Sequence, residues 1–386
     1  MRRVFQRELR RIIHKPRYVI ILTLGIILTF VFFGTMMHEG QPEKVPVAVV
    51  DMDHSYISRR LCHELQATQG VDVVAVYDNH AEARRAMQRG KIFAFYEIPD
   101  GTYQAVLQFR APHFGLYSNP AYLLAGTLSY KQLATMGMLA AGAVQREVFR
   151  KKGYDEEKIM GLIMPVEYDT HLIGNPWANY QIYLMTTLIP AVIAFIALLH
   201  TLYLIGRERE ERTVRNWMRK AGGNALRAMA GKLLPYTILY SLLLIIANLI
   251  MFGPMHFTFE GNWLIMLLMS VLLIAAVQCM GVLVAGSLPD PPFAMGIGAV
   301  YGALCFSLSG FSFPVEAMPP IFNGFSWLYP IRHYYRTYCD VAIFGNGLEH
   351  CWPYVCAMIA FGLAGLVGCY FFQRQYDAEE AERRRV

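Results

Sequence analysis

The chain has 386 residues, of which 55% are hydrophobic and only 17% charged, against about a quarter charged in an ordinary soluble domain. The shortfall is concentrated in long windows without Asp, Glu, Lys or Arg, which excludes a wholly soluble globular protein. The formal net charge of +6 is equally uneven along the chain, so it reads as a membrane-topology signal and not as a nucleic-acid-binding surface.

A bilayer core about 30 Å thick takes about 20 apolar residues of helix to cross, and a helix satisfies its own backbone polar groups there. Residues 1–17 read as a cationic amphipathic helix with an apolar stripe of Val4, Phe5, Leu9, Ile12 and Ile13, lying in the headgroup plane before a turn at Pro16. A plain basic flank is the alternative. Residues 18–37 form the first predicted span, an uncleaved anchor because no A-x-A-like site follows in 34–41.

From Val45 the pattern becomes that of an α/β domain, placed at 38–178. Strands are expected at 45–50, 71–77, 92–98 and 103–109, helices at 57–67 and 81–89, a long helix near 121–152, and a strand at 164–168. The apolar stretch 121–144 is long enough to span but carries Lys131, which costs roughly 2.5–3.5 kcal/mol at mid-bilayer. A seventh span would also put the basic 207–232 loop opposite the basic N-terminus. It is therefore read as a helix of the soluble domain.

Further spans are expected at 179–206, 233–256, 262–288, 291–312 and 351–373, six in all. The third and fourth form a hairpin around Glu260, and Asp290 between Pro289 and Pro291 marks a second turn. Arg2, Arg3, Arg7, Arg10, Arg11, Lys15 and Arg17 face only Glu8 before the first span, and the 207–232 loop is also rich in Arg and Lys. Positive-inside bias puts the N-terminus, that loop and the 374–386 tail in the cytoplasm, and 38–178 outside it. The fold class expected is thus a polytopic α-helical membrane protein with six transmembrane helices and an inserted α/β extracytoplasmic domain between the first two.

Catalytic and metal chemistry finds no foothold. Of seven cysteines, five lie in or at the ends of spans and Cys62 is alone in the insert, with no metal-ligand spacing. Cys339 and Cys351 fall on one side and either pair or remain thiols. There is no P-loop: Gly231-Lys232 is followed by Leu233, and Leu226 stands where the first glycine is needed. Charge-free spans disfavour a proton-driven carboxylate relay.

Three segments stand out. In 206–232, Val214, Trp217 and Met218 share a helix face framed by charges, which fits either a peg for another protein or an interfacial helix on lipid. The run 310–320, from Gly310 through Phe313-Pro314 to Met318-Pro319-Pro320, breaks helix after the fifth span and makes a re-entrant or interfacial segment over 313–350. Asn175-Pro176 with Asn179-Tyr180 makes the turn into the second span.

At these residues the chain resembles, nearly end to end, the permease subunits of ABC-2-type transporters, in the branch with a large external domain after the first span. Arg7-Glu8-Leu9 is similar to that family's elbow helix, and Val47 through Asp53 with Ser55, Ser58 and Arg59 to the start of its external domain. Glu208-Arg209-Glu210 with Thr213 resembles the E-R-E-x-G-T coupling segment, with Arg212 where glycine is usual. Phe313-Pro314, Met318-Pro319 and Pro330 resemble the outer motif. The resemblance implies a non-enzymatic half-transporter in the bacterial inner membrane, exporting a lipophilic or amphiphilic substrate. Arg207, Glu208, Arg209, Glu210, Glu211, Thr213, Val214 and Trp217 would couple it to a separate cytoplasmic ABC ATPase dimer. The chain would bind no cofactor itself, ATP and Mg being used by that ATPase. Its other partners would be a second copy or sister permease, membrane lipids and, at the external domain, a periplasmic adaptor. The competing reading is a non-transporting envelope receptor or assembly scaffold that works through the external domain.

Overall fold

The computed structural model describes residues 1–14, 16–108, 110, 112–164, 166, 169 and 171–385, the side chains at 18, 107, 123, 147, 384 and 385 excepted. It divides into two compact units, one of residues 1–38 with 172–386 and one of residues 39–171.

The first unit is helical. Helix α1 (Arg2–His14) precedes α2 (Arg17–Met36), whose apolar side chains Ile20, Ile21, Leu24 and Leu28 are largely exposed. After the second unit come α8 (Tyr180–Glu210), α9 (Val214–Lys220), α10 (Ala225–Phe252), α11 (Trp263–Ser287), α12 (Pro291–Leu308), the short α13 (Pro320–Ser326), α14 (Pro330–Tyr338) and α15 (Leu348–Arg385). Six of these helices, α2, α8, α10, α11, α12 and α15, are long and apolar enough to cross a membrane.

Polar residues in the connections start the helices. Asn179 accepts the N–H groups of Gln181 and Ile182, Asn224 that of Arg227, Asn262 that of Leu264 and Asp290 that of Phe293. Two adjacent prolines open α12, where their missing N–H groups are no loss. Three helices overrun the charge-free windows. Helix α8 continues past residue 206 to Glu210, α10 begins eight residues before 233, and α15 runs through the expected tail. Charge-free windows mark the apolar core of a helix, whereas the helix itself ends at its cap.

Glycines let these helices approach closely. A Cβ on Gly286 would lie 2.1 Å from the Gly368 carbonyl oxygen, and one on Gly368 2.5 Å from that of Val282. Such small-residue contacts bring α11 and α15 backbone to backbone, as expected where lipid tails compete equally for apolar surface.

The second unit contains β1 (Val45–Asp51), α3 (Tyr56–Gln66), β2 (Val71–Tyr77), α4 (His80–Gln88), β3 (Ala94–Ile98), α5 (Thr102–Leu107), β4 (Gly115–Ser118), α6 (Leu123–Lys151) and α7 (Glu156–Ile163). The sheet order is β2-β1-β3-β4, with β1 parallel to both neighbours and β4 antiparallel to β3. Central strand β1 is apolar almost throughout because both of its faces are covered. Val47 and Val49 pack with Leu61, Leu65 and Leu133 of α3 and α6, while Ala48 and Val50 pack with Ala83, Ala86 and Phe95. Leu133 therefore ties α6 to the sheet, and α6 is not among the helices that qualify as spans.

The strand expected at 103–109 is overturned: Thr102–Leu107 is helical. Gly101 takes φ +78, Thr102 Oγ1 donates to the Pro99 carbonyl, and the Asp53 carboxylate accepts the Tyr103 N–H at 3.1 Å. That local capping outweighs β propensity, and the fourth strand forms at Gly115–Ser118 instead. The strand expected at 164–168 falls mainly outside the described residues. Buried Asp51 anchors the turn after β1, accepting the N–H groups of Asp53 and His54 and the Ser58 hydroxyl at 2.8 Å. Burial, helped by the Asp51 charge, pushes the neighbouring Cys62 thiol up to about 11.

Gly368→Val should cost about 1–3 kcal/mol by overpacking against α11. Gly362→Val, on the same helix with nothing within 4 Å of the added Cβ, should be close to neutral. Thermal unfolding in detergent checks the pair, and equal midpoints would remove the backbone contact as a determinant.

Candidate functional site

At the end of the spans that carries α1, four chain segments converge on one buried carboxylate. Glu208, in the last turn of α8, accepts Lys232 Nζ of α10 at 2.8 Å and Arg11 Nη1 of α1 at 3.2 Å, and it is also paired with Arg7. Its second oxygen accepts the Thr213 hydroxyl at 2.5 Å, and the Thr213 N–H bonds to the Glu208 carbonyl at 2.9 Å. Lys232 also reaches Glu8 at 3.4 Å, and Arg11 reaches Glu211 at 3.4 Å. The side chains of Glu8, Glu208 and Lys232 are fully buried.

Charge balance makes this burial tolerable. The cations Arg7, Arg11 and Lys232 face Glu8, Glu208 and the half-exposed Glu211. A buried ion pair returns its desolvation cost only when its geometry and further hydrogen bonds are good. Gly231 permits the arrangement, since a Cβ there would lie 2.9 Å from the Met1 carbonyl oxygen and 3.0 Å from Val4 Cβ. The ammonium of Lys232 lies 5.1 Å from the centroid of the Trp217 ring, whose indole N–H donates to the Ala228 carbonyl at 3.2 Å.

The residues singled out in the sequence divide into two groups here. Arg7, Glu8, Glu208, Glu211, Thr213 and Trp217 join the cluster or border it. Arg209 instead donates to the Leu288 carbonyl at 2.7 Å and to Gln375 at 2.8 Å, tying α8 to the connection before α12 and to α15. Arg207 pairs with Glu211 at 2.6 Å. Glu210 is exposed, and Leu9 is 42% exposed on the other face of α1.

The Val214, Trp217 and Met218 face is neither an exposed peg nor a lipid-facing stripe. Trp217 and Met218 are fully buried in the main core and Val214 packs against it. What α9 leaves exposed is its polar side, Asn216 with the cations Arg215, Arg219 and Lys220. Arg212, where the resemblance expects glycine, has φ +54, so the left-handed turn is kept with a side chain in place. In the sequence, Lys232 figures only as the last basic residue of the 207–232 loop and in the Gly231-Lys232 pair, and neither gives it a place in the site. The signal available was Gly231-Lys232 at the edge of an otherwise uncharged stretch.

The remaining motif residues lie toward the start of α8, about 40 Å away along a continuous helix. Asn175 Nδ2 donates to the Asn179 carbonyl and its Oδ1 accepts the Asn179 N–H, both at 2.8 Å, so this pair sets the helix start behind Pro176 and before Tyr180. The Tyr183 hydroxyl donates to the Phe311 carbonyl at 3.0 Å. Phe313 is half exposed, Met318 is buried, Pro314 and Pro319 flank the turn Val315–Ala317, and Pro330 opens α14. Between α10, α11 and α14, Asn248 Nδ2 donates to the Tyr334 hydroxyl at 2.8 Å and to Ser270 Oγ at 3.1 Å. No motif marked that buried network. Cys339 and Cys351 are both free thiols.

A family model described as "ABC-2 family transporter protein" matches residues 16–370. Two proteins of Escherichia coli (strain K12) are similar over most of the chain. "Probable multidrug ABC transporter permease YbhS" is 22% identical over 88% of this chain and 87% of its own length. "Probable multidrug ABC transporter permease YbhR" is 22% identical over 86% of each.

Lys232→Met should cost up to about 5 kcal/mol, because it removes the fully buried cation between two buried carboxylates and leaves only Arg7 and Arg11 to balance them. Adding Glu208→Gln to Lys232→Met should restore part of that loss, and unfolding midpoints that merely add would argue against a shared network. Arg212→Gly should raise stability by about 0.5–1 kcal/mol by relieving the left-handed backbone.

Proposed function

Since the chain belongs to the ABC-2 family of transporter proteins, we propose that it is the permease subunit of an ATP-driven exporter whose ATPase is a separate cytoplasmic protein. Membership and the six apolar helices make it a multi-pass membrane protein and a transporter permease subunit. The finer reading concerns direction, partners and the route of coupling.

One observation carries that reading. The buried Glu8–Glu208–Lys232 cluster fastens α1, α8 and α10 into one body, while Glu210, Arg212, Arg215, Arg219 and Lys220 beside it stay exposed. A force applied to the exposed charges is passed to the spans through a joint that resists deformation. On this reading an ABC ATPase dimer docks on the exposed charges, and its closure on ATP and Mg rocks the joined helices. Two permease subunits, identical or sister chains, complete the transporter in the bacterial inner membrane. Both termini are cytoplasmic and residues 38–178 extracytoplasmic, where they receive substrate or a periplasmic adaptor. The multidrug description of the relatives supports a lipophilic or amphiphilic substrate leaving the cytoplasm or the inner leaflet.

The contrast between Glu210 and Glu208 supplies the test. Glu210→Ala should leave expression and the unfolding midpoint unchanged, yet lower substrate-stimulated ATPase activity of the complex several-fold. Glu208→Ala should lower both. Undiminished coupling in Glu210→Ala would remove this surface from the proposed role, and native complexes lacking any ATPase would remove the reading as a whole. Sidedness is tested separately by Tyr56→Cys, 68% exposed in the second unit and a better reporter than Cys62, whose thiol burial holds at about 11. A membrane-impermeant maleimide should label it from the periplasmic side. Labelling that requires opening the cytoplasm would reverse the topology.

A further inference from the structure

Arg332, in the first turn of α14, is only 6% exposed, and among the described residues no carboxylate lies within ion-pairing distance of it. Its Nη1 donates to the Asn323 carbonyl at 3.0 Å and to the Ser326 hydroxyl, and its guanidinium carbon stands 4.7 Å from the centroid of the Trp327 ring. These partners are neutral. Its Nε is buried with no acceptor among the described residues. The acid on the same side of the fold, Glu316, is held by Arg336 at 2.6 Å.

A buried guanidinium with only neutral partners is costly, and an arginine usually meets that cost with a bidentate anion. The contacts made by Nη1 leave the Nε–Nη2 edge free, which is an edge that matches two oxygens of a carboxylate or phosphate. The surroundings favour a lipid as the source. Ile321, Phe322, Phe325, Trp327 and Leu328, on and just after α13, are all 46–70% exposed, an apolar surface beside a concealed cation.

We infer that the Nε–Nη2 edge of Arg332 binds the phosphodiester of an anionic phospholipid whose acyl chains lie along the exposed side chains of α13. The site holds its ligand whether or not the chain transports anything, so it stands apart from the exporter reading.

Full-length protein in dodecyl maltoside and phosphate-free buffer provides the test. The unfolding midpoint is read after adding phosphatidylglycerol or inorganic phosphate, for wild type, Arg332→Met and Arg332→Lys. Phosphatidylglycerol should raise the wild-type midpoint by about 5 °C near saturation, and inorganic phosphate by less. Arg332→Met should respond to neither and, without anion, should be no less stable than wild type. Arg332→Lys keeps the charge but loses the fork and should show a smaller shift. A wild-type response to inorganic phosphate as large as to the lipid would replace the lipid with a soluble phosphate. A wild type that responds to neither, or an Arg332→Met that responds fully, overturns the site. If Arg332→Met does not fold, an Arg332→Lys response equal to wild type overturns it.

Discussion

The ion pair between Glu208 and Lys232 governs how one end of this membrane bundle is assembled. Neither side chain reaches solvent, so each needs the other and further partners before burial is tolerable. Those partners come from α1, whose Glu8, Arg7 and Arg11 complete the charge balance, and from Thr213, which closes the turn after α8. Helix α1 is thereby fixed by electrostatics as well as by Val4 and Ile12, which pack in and against the main core, and Gly231 provides the room for it. The cluster is not fully satisfied: Arg7 Nη1 and Glu8 Oε2 remain buried without hydrogen-bond partners among the described residues. Replacing a buried ion cluster by well-packed apolar residues is often neutral or stabilising. Ionic groups retained under those terms fit a joint that defines one geometry more than they fit a source of stability.

The rest of the bundle is held by other means, because apolar contact gives little net gain between helices that lipid solvates equally well. Glycine contacts bring α11 against α15, and Gly298 and Gly302 of α12 receive Leu202 and Phe195 of α8 in the same way. Buried hydrogen bonds add selectivity, with Asn248, Ser270 and Tyr334 meeting between three helices. Long α8 runs from the Asn179 cap, near the segment at Phe311, to Glu208 in the ion cluster. One continuous helix of an ABC-2 family chain thus touches both regions to which its motifs belong.

The second unit follows different rules. Its central strand β1 is covered on both faces by helices and can be apolar almost throughout, and α6 supplies one of the covering surfaces through Leu133. This accounts for a stretch that by composition resembles a span. Leu133, Met136 and Ala140 pack against the sheet core, whereas Met138 and Leu139 stay exposed.

The sequence by itself determined the six apolar helices, the polar starts of three of them at Asn179, Asn262 and Asp290, and the first helices and strands of the second unit. These depend on desolvation and capping, which act over a few neighbouring residues. It also carried enough ordered motifs to suggest the family that residues 16–370 then matched. Only the tertiary structure decided that Val214, Trp217 and Met218 turn inward, that 102–107 is helical, and that Arg332 is buried with no countercharge among the described residues. The same holds for the central cluster, whose Glu8 and Lys232 are 224 residues apart in the chain. The energy of a buried charge depends on which distant groups surround it, and no local pattern of residues records that.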